Sequence, residues 1–335
     1  MATVRSIADH LNISTATVSR VLNSRPGIAA GTRQRVLDAV KELGHERSVG
    51  LKACRYIGFV HPLGQFAGNL GEYHAAVLGG LGKALGQQQF DLAIIDPYRD
   101  KRPDESYTQF FLRKDLRGVV VQVRPNNAHM VQTIANEGFP MIVVASCYEQ
   151  ANVNWVVVDS ARGYEKVAQH LFDLGHRRIV LATREAADFD HDERVRGFQE
   201  GCRRLGIDID PQLFWVTMED ATGGVSVIRR LASMPNRPTA VVFTAPSPTR
   251  GALRTCAELG ISVPGDLSIV GFDDTRQRLE TYPSYTSVCQ NAEALGSEAG
   301  SLLTRILDGT IEQPVHVVLP AVFEVHQSTG PAPAR

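Results

Sequence analysis

Thr15, Ala16, Thr17, Ser19, Arg20 and Asn23 make up the exposed side of a short helix read over Thr15–Asn23, whose other side carries Val18, Val21 and Leu22. Small residues on such a face let a backbone approach a DNA duplex closely. The hydroxyls can donate to phosphate oxygens, and an arginine can bridge guanine O6 and N7 with two hydrogen bonds. A first helix over Val4–Leu11 precedes it, with Ile7, Ala8 and Leu11 on one face. Only Asn12-Ile13-Ser14 lie between the two, room for a tight turn and nothing longer. Ser14 stands where an N-cap belongs, its hydroxyl able to accept from an early helix N–H. A third helix is expected over Thr32–Leu43, with Val36, Val40 and Leu43 at helical spacing and Gly44 suited to the left-handed position that ends it. Two short helices at such a turn form a helix-turn-helix, whose second helix can enter a major groove. The helix pattern by itself leaves equal room for a solvated polar face on a small bundle.

The charge distribution leans the same way. The chain has 335 residues, 43% of them hydrophobic, and a net charge of only -1. Residues 1–55 hold nine Lys/Arg against four acids, whereas the remainder holds 26 against 32. A basic head on an acidic body suits a polyanionic partner, although solvated basic faces are common. The five cysteines, Cys54, Cys147, Cys202, Cys256 and Cys289, are odd in number and contain no C-x-x-C pair. That argues against a disulfide framework or a zinc site and for a reducing compartment. No signal-peptide core opens the chain, and no apolar run of about 18 residues could span a bilayer. A cytoplasmic protein without a membrane partner is expected.

Catalytic patterns are missing. Gly82-Lys83 is followed by Ala84, and Val77 occupies the place of a P-loop's first glycine. There is no G-x-S-x-G, no H-E-x-x-H and no G-x-G-x-x-G after the first strand, and the ten histidines show no ligand spacing. His176, just before a strand, reads as a turn residue. Neither an enzyme nor a cofactor nor a metal site is expected.

After residue 55 short apolar runs alternate with helical stretches. Strands are expected at Tyr56–Val60, Phe90–Asp96, Gly118–Val123, Met141–Ser146 and Val156–Asp159, then at Arg178–Thr183, Phe214–Met218, Ala240–Thr244 and Leu267–Asp273. Amphipathic helices are expected at Tyr73–Gln88, Gly163–Leu174, Glu193–Leu205, Thr249–Leu259 and Glu293–Leu307. Such alternation indicates parallel, doubly wound sheets covered on both faces, and its length suits two of them. His61, Tyr73 and Arg124 sit at the ends or starts of these elements and are candidates on position alone. The Pro/Ala-rich end, Thr329–Arg335, reads as a frayed tail.

The string Ile7-Ala-Asp-His-Leu-Asn-Ile-Ser-Thr-Ala-Thr-Val-Ser-Arg-Val-Leu-Asn23, followed by Thr32-Arg33 and Glu42-Leu43-Gly44, closely resembles the head of the lactose-repressor/galactose-repressor (LacI/GalR) family of transcriptional regulators. The resemblance continues through Ile57-Gly58-Phe59-Val60, the segment from His170-Leu171 to Leu174-Gly175-His176-Arg177-Arg178-Ile179, Arg194-Val-Arg-Gly197-Phe198, and Val263-Pro264 to Gly271-Phe272-Asp273-Asp274. It implies base readout by Thr15, Ala16 and Arg20, and phosphate contacts from Thr3, Arg5, Thr17, Ser19 and Asn23. It implies a helix-turn-helix domain at 1–46, a hinge at 47–55, and a periplasmic-binding-protein-like core at 56–329 of two Rossmann-like subdomains. One would comprise 56–158 plus 287–317, the other 159–286 plus 318–329, leaving 330–335 as tail. A small-molecule effector, a carbohydrate by class, would lie in the cleft between them, with Arg194 and Asp273 as its binding residues. The implied partners are pseudo-palindromic double-stranded operator DNA and a second copy of the chain. A transport-type solute-binding protein shares the core fold, but the attached helix-turn-helix and the absence of a signal peptide count against it.

Two departures from the family pattern matter. Many relatives carry Asn-Asp where this chain has Ala245-Pro246, so a polar contact to sugar hydroxyls is missing. Ser247 or Thr249 substitutes for it, the ligand is not a simple sugar, or the regulator works without an effector. The linker between Gly44 and Tyr56 is short and interrupted by Gly50, and lacks the family's hinge-helix pattern. Arg47 and Lys52 would still contact phosphates, with Leu51 (or Val49) as the residue that could wedge into a minor groove.

Overall fold

The computed structural model describes residues 4–22, 32, 35, 36, 39, 56–61, 71–123, 127–148, 152–184, 188–207 and 209–334. In the head, α1 (Val4–Leu11) and α2 (Thr15–Leu22) meet at the expected turn. Asn12 takes a left-handed φ of 52° there, a conformation its short amide side chain tolerates. The Ser14 hydroxyl accepts from the Thr17 N–H at 3.0 Å and so caps α2. Ile7, Ala8, Val18 and Val21 bury against Val36 and Ala39, which lie on helical backbone with Thr32 and Arg35. The other residues of the expected third helix lie outside the described residues.

The rest of the chain builds two six-stranded sheets. The strands are β1 (Tyr56–Val60), β2 (Asp91–Ile95), β3 (Leu116–Gln122), β4 (Met141–Val144), β5 (Asn154–Asp159), β6 (Ile179–Arg184), β7 (Phe214–Thr217), β8 (Ala240–Phe243), β9 (Ser268–Phe272), β10 (Thr286–Cys289), β11 (His316–Pro320) and β12 (Val322–Glu324). The first sheet runs β11-β5-β4-β3-β1-β2 and the second β12-β10-β9-β8-β6-β7. Every pairing is parallel except β10 with β12. Strands such as Val119–Val121 and Val241–Phe243 are wholly buried, as a sheet covered on both faces requires.

The helices that matter to the cleft are α3 (Glu72–Gln87), α7 (Ser160–Asp173), α8 (Phe189–Arg204), α9 (Ala221–Ala232), α10 (Pro246–Glu258) and α12 (Ala292–Leu307); between α3 and α7 come α4 (Pro97–Asp100), α5 (Tyr107–Arg113) and α6 (Ala128–Glu137), and α11 (Gln277–Glu280) precedes α12. They pack in pairs through glycines. A Cβ on Gly80 of α3 would lie 1.9 Å from the Glu293 carbonyl oxygen of α12, and one on Gly197 of α8 would lie 2.1 Å from that of Ala161 in α7. Backbone-to-backbone contact of this kind sets how closely each pair of helices packs, and in chain order α3 follows β1 and α8 follows β6.

Strand pairing corrects the expected subdomain limits. Thr286–Val288 pair with β9 and Ser287–Cys289 with β12 in the second sheet, and Val318–Pro320 pair with β5 in the first. The chain therefore crosses after Cys289 and after Pro320, not at 286/287 and 317/318. The tail is corrected too. The Gly330 N–H donates to the Ser268 hydroxyl and the Ala332 N–H to the Leu174 carbonyl at 2.8 Å. His176 is wholly buried, with Nδ1 2.8 Å from the Thr239 hydroxyl and Nε2 3.0 Å from both Ser268 Oγ and the Gly330 carbonyl. It is a staple between three segments, more than the turn residue its position suggested. No helix among the described residues is long and apolar enough to cross a membrane.

Candidate functional site

The head presents part of the expected polar face. Thr15, Ala16 and Arg20 of α2 are exposed, as is Arg5 of α1, while Thr17 and Ser19 are half-buried. The Thr17 hydroxyl lies 2.8 Å from that of Ser14, so it helps hold the turn as well as facing outward. Thr3, Asn23, Arg47, Leu51 and Lys52 lie outside the described residues. The exposed groups stand on the first turns of a helix held at a capped N-terminus, the end that a groove admits first.

The second site is assembled between the two sheets. α8 follows β6, and its Arg194 is buried with many partners. Nη1 donates to the Thr244 carbonyl at 2.9 Å, Nη2 reaches Asp190 Oδ2 and Gln290 Oε1 at 3.4 Å each, and the guanidinium covers the Phe272 ring. Thr244 follows β8, Phe272 ends β9, and Gln290 follows β10, so one side chain reads the ends of three neighbouring strands. Arg194 Nε has no hydrogen-bond partner among the described residues.

Asp190 lies one helical turn before Arg194 on the same face and is itself buried. Burial, then the neighbouring carboxylates Asp188, Glu193 and Asp274, push its carboxyl up to about 7 against the pull of Arg194. The direction is upward because the Arg194 contact is long and shared among several acceptors. Its Oδ1 has no partner among the described residues. Tyr73, in the first turn of α3, comes from the other sheet. Its hydroxyl is buried and has no partner among the described residues, and burial followed by the Asp190 charge holds the phenol well above its usual range. A hydroxyl, a carboxyl oxygen and a guanidinium N–H, close enough for Asp190 and Arg194 to act on Tyr73, thus have no partner among the described residues. Buried polar groups left in this state are costly unless something else satisfies them. The set can donate to and accept from a small polar molecule.

Asp273 does not join this set. Its Oδ1 accepts from the Thr275 N–H at 2.7 Å, and its Oδ2 accepts from Arg250 Nη1 at 3.1 Å and from the Tyr285 hydroxyl. With both oxygens engaged inside the second unit, it acts here as an internal anchor. Asp274 beside it accepts from the N–H groups of Asn291 and Ala292 at 3.1 Å each, closing the start of α12 where the chain crosses back to the first unit. His61 packs edge-on against His74, whose Nε2 lies 2.8 Å from Gln122 Oε1; both belong to the first unit. Arg124 lies outside the described residues. Of the two substitutes for the missing Asn-Asp pair, Thr249 donates to the Ala245 carbonyl at 3.0 Å and Ser247 faces Arg250.

Asp190, Gln290 and Arg250 escaped the sequence reading. Asp190 alone carried a legible signal, its i, i+4 spacing from Arg194. Among the described residues, no group of three or more His, Cys, Asp or Glu is placed to hold a metal ion.

Comparison with known proteins matches residues 3–48 to the model of bacterial regulatory proteins, lacI family, and residues 168–329 to that of the periplasmic binding protein-like domain. The HTH-type transcriptional regulator MalR of Streptomyces coelicolor is 29% identical, over 98% of this chain and 97% of its own. The structure of the transcriptional regulator CelR in complex with cellobiose superposes with a TM-score of 0.70 at 25% identity, covering 98% of this chain and 100% of that one. The lac repressor dimer bound to operator and the anti-inducer ONPF shares the fold, with a TM-score of 0.71 at 20% identity over 98% and 99% of the two chains.

Proposed function

Because the chain belongs to the lacI family of bacterial regulatory proteins, we propose that it is a sequence-specific transcriptional regulator whose operator affinity responds to a small molecule. The head reads operator DNA. Thr15, Ala16 and Arg20 face base edges, while Arg5, Thr17 and Ser19, with Thr3, Asn23, Arg47 and Lys52, hold the phosphates. One head covers a half-site, so a homodimer on a pseudo-palindromic operator is the working form. Repression in the cytoplasm is the finer reading, and the chain acts as a regulator, not a catalyst.

The observation that carries the effector half of the proposal is the buried set of Tyr73 Oη, Asp190 Oδ1 and Arg194 Nε, contributed by both units and unsatisfied among the described residues. CelR binds cellobiose, and a small carbohydrate suits this set of donors and acceptors. Asp273, engaged by Arg250 and Tyr285, favours a second reading in which the chain regulates without an effector.

Selection of duplexes from a random library tests the DNA half. Enrichment of a two-fold-related motif, lost in Arg20→Ala, supports it; retention of DNA with no enriched motif contradicts it. A melting-shift screen against small carbohydrates separates the two effector readings, since a ligand that binds only the folded chain raises its melting point.

A further inference from the structure

Arg250 of α10 belongs to the second unit and Glu72, the first residue of α3, to the first. Arg250 Nη1 stands 3.1 Å from Asp273 Oδ2 and 3.5 Å from Glu72 Oε2. A single guanidinium therefore ties the carboxylate at the end of β9 to the opening turn of a helix in the other unit. The next residue, Tyr73, reaches the field of Asp190 and Arg194. Both contacts to the second unit leave from one helical turn.

That turn has little of its own to hold it. Gly71 occupies the N-cap, and among the described residues no side chain caps the helix. An uncapped first turn leaves N–H groups without internal acceptors, so docking against the second unit supplies its order. The two arms of Arg250 differ in kind. Asp273 is 1% exposed and also holds Tyr285, whereas Glu72 is 40% exposed. The inner arm is a fixed anchor. The outer arm is screened by water and salt, and breaks reversibly.

We propose that Arg250 is a latch on the cleft: anchored on Asp273, it catches Glu72 and holds the two units together when no ligand is present. The proposal rests on the reading of Tyr73, Asp190 and Arg194 as the effector site. It adds that Asp273 serves closure through Arg250, and that entry of a ligand beside Tyr73 requires the Glu72 arm to let go. The latch therefore sets how readily the cleft admits a ligand, and specificity falls to Tyr73, Asp190 and Arg194.

Hydrogen–deuterium exchange of the full chain, without ligand, tests it. The Ala75 N–H donates to the Gly71 carbonyl at 3.0 Å and reports on the first turn of α3; the Phe90 N–H, bonded to Leu85 at the far end of that helix, is the control. Glu72→Gln removes the outer arm and leaves the Arg250–Asp273 pair intact. Arg250→Ala removes both. Each should speed exchange at Ala75 by about two- to fivefold, the range an exposed ion pair commands, with no change at Phe90. The double variant should exchange no faster than Arg250→Ala alone. Exchange in Glu72→Gln equal to wild type, or additive effects in the double variant, would overturn the latch. The effector site itself is judged separately by the carbohydrate melting-shift screen, so either idea can fail alone.

Discussion

The guanidinium of Arg194 lies over the ring of Phe272, its central carbon 3.6 Å from the ring centroid. The ring supports the cation from below while the Thr244 carbonyl fixes its rim, so the arginine is aimed before any ligand arrives. Arg194→Lys keeps the charge but loses the planar fork and the stacking that goes with it. Ligand affinity should fall at least tenfold with half-site DNA binding unchanged. Arg194→Ala should also cost about 3 kcal/mol of stability, the low end for removing one partner of a buried pair, because Asp190 can take up a proton. Urea denaturation and ligand-induced melting shifts measure the two effects. Full retention of the ligand response in both variants would place the effector elsewhere.

In the head, Arg20 is exposed on α2 next to small side chains. Arg20→Ala should weaken operator binding by about 1–3 kcal/mol and relax the preference at one guanine per half-site. Arg5→Ala should weaken all sequences alike and reduce the salt dependence by about one counterion. Titrations on operator and scrambled duplexes at several salt concentrations distinguish them. The same loss of specificity from both would remove the division into base-reading and phosphate-holding residues.

The two sites differ in how much of them the sequence discloses. The head is local: Ile7, Ala8, Val18 and Val21 meet within one turn of chain, so their periodicity predicts α1 and α2 closely. Central strands such as β4 and β8 are apolar throughout and equally legible. β10 is not, since Thr286-Ser-Val-Cys289 is polar in composition yet wholly buried, its hydroxyls absorbed by His326, Thr329 and Asp273. β11 and β12 are edge strands with exposed residues, and their apolar side chains, Val317, Val318, Leu319, Val322 and Phe323, fall in one short run around Pro320 whose two halves join different sheets. Those three strands set where the chain crosses between units, which is why the expected limits shifted. The cleft depends on the crossings as well. Asp273 matched a family motif, but the motif could not show Arg250 arriving from 23 residues away to occupy it.

Glycine placement gives a sharper test of helix packing. Gly80 and Gly82 lie in the same helix, but a Cβ on Gly80 would strike the Glu293 carbonyl whereas one on Gly82 would meet no atom within 4 Å. Gly80→Ala should cost about 1–3 kcal/mol or more, because backbone cannot move aside as a side chain can. Gly82→Ala should gain about 0.5–1 kcal/mol from the lower entropy of its unfolded state and better helix propensity. Equilibrium denaturation decides both signs. Destabilisation by Gly82→Ala would mean that a second chain covers that face.

Asp190 predicts an unusual pH dependence. Its carboxyl is pushed up to about 7 in the folded chain, against about 4 when unfolded. Between those values the native state holds a proton that the unfolded state has lost, so this group's contribution to stability falls as pH rises from about 4 to about 7. Asp274, also raised by burial, contributes with the same sign. His170, His176 and His191 oppose it: burial lowers all three, the unfolded state protonates first, and their contribution to stability rises with pH up to about 6.5. Asp188 is depressed below the usual range with His191, Arg194 and Arg184 around it, so its contribution is lost only below about pH 4. The whole-protein profile mixes these opposing slopes. The difference between wild type and Asp190→Asn isolates one, because the amide keeps the shape and cannot titrate. Wild type should lose stability relative to the variant steadily from about pH 4 to about pH 7 and hold level above that. Urea denaturation of both chains across this window measures the difference. A flat difference would mean an ordinary carboxyl, and a rising one that Arg194 outweighs burial.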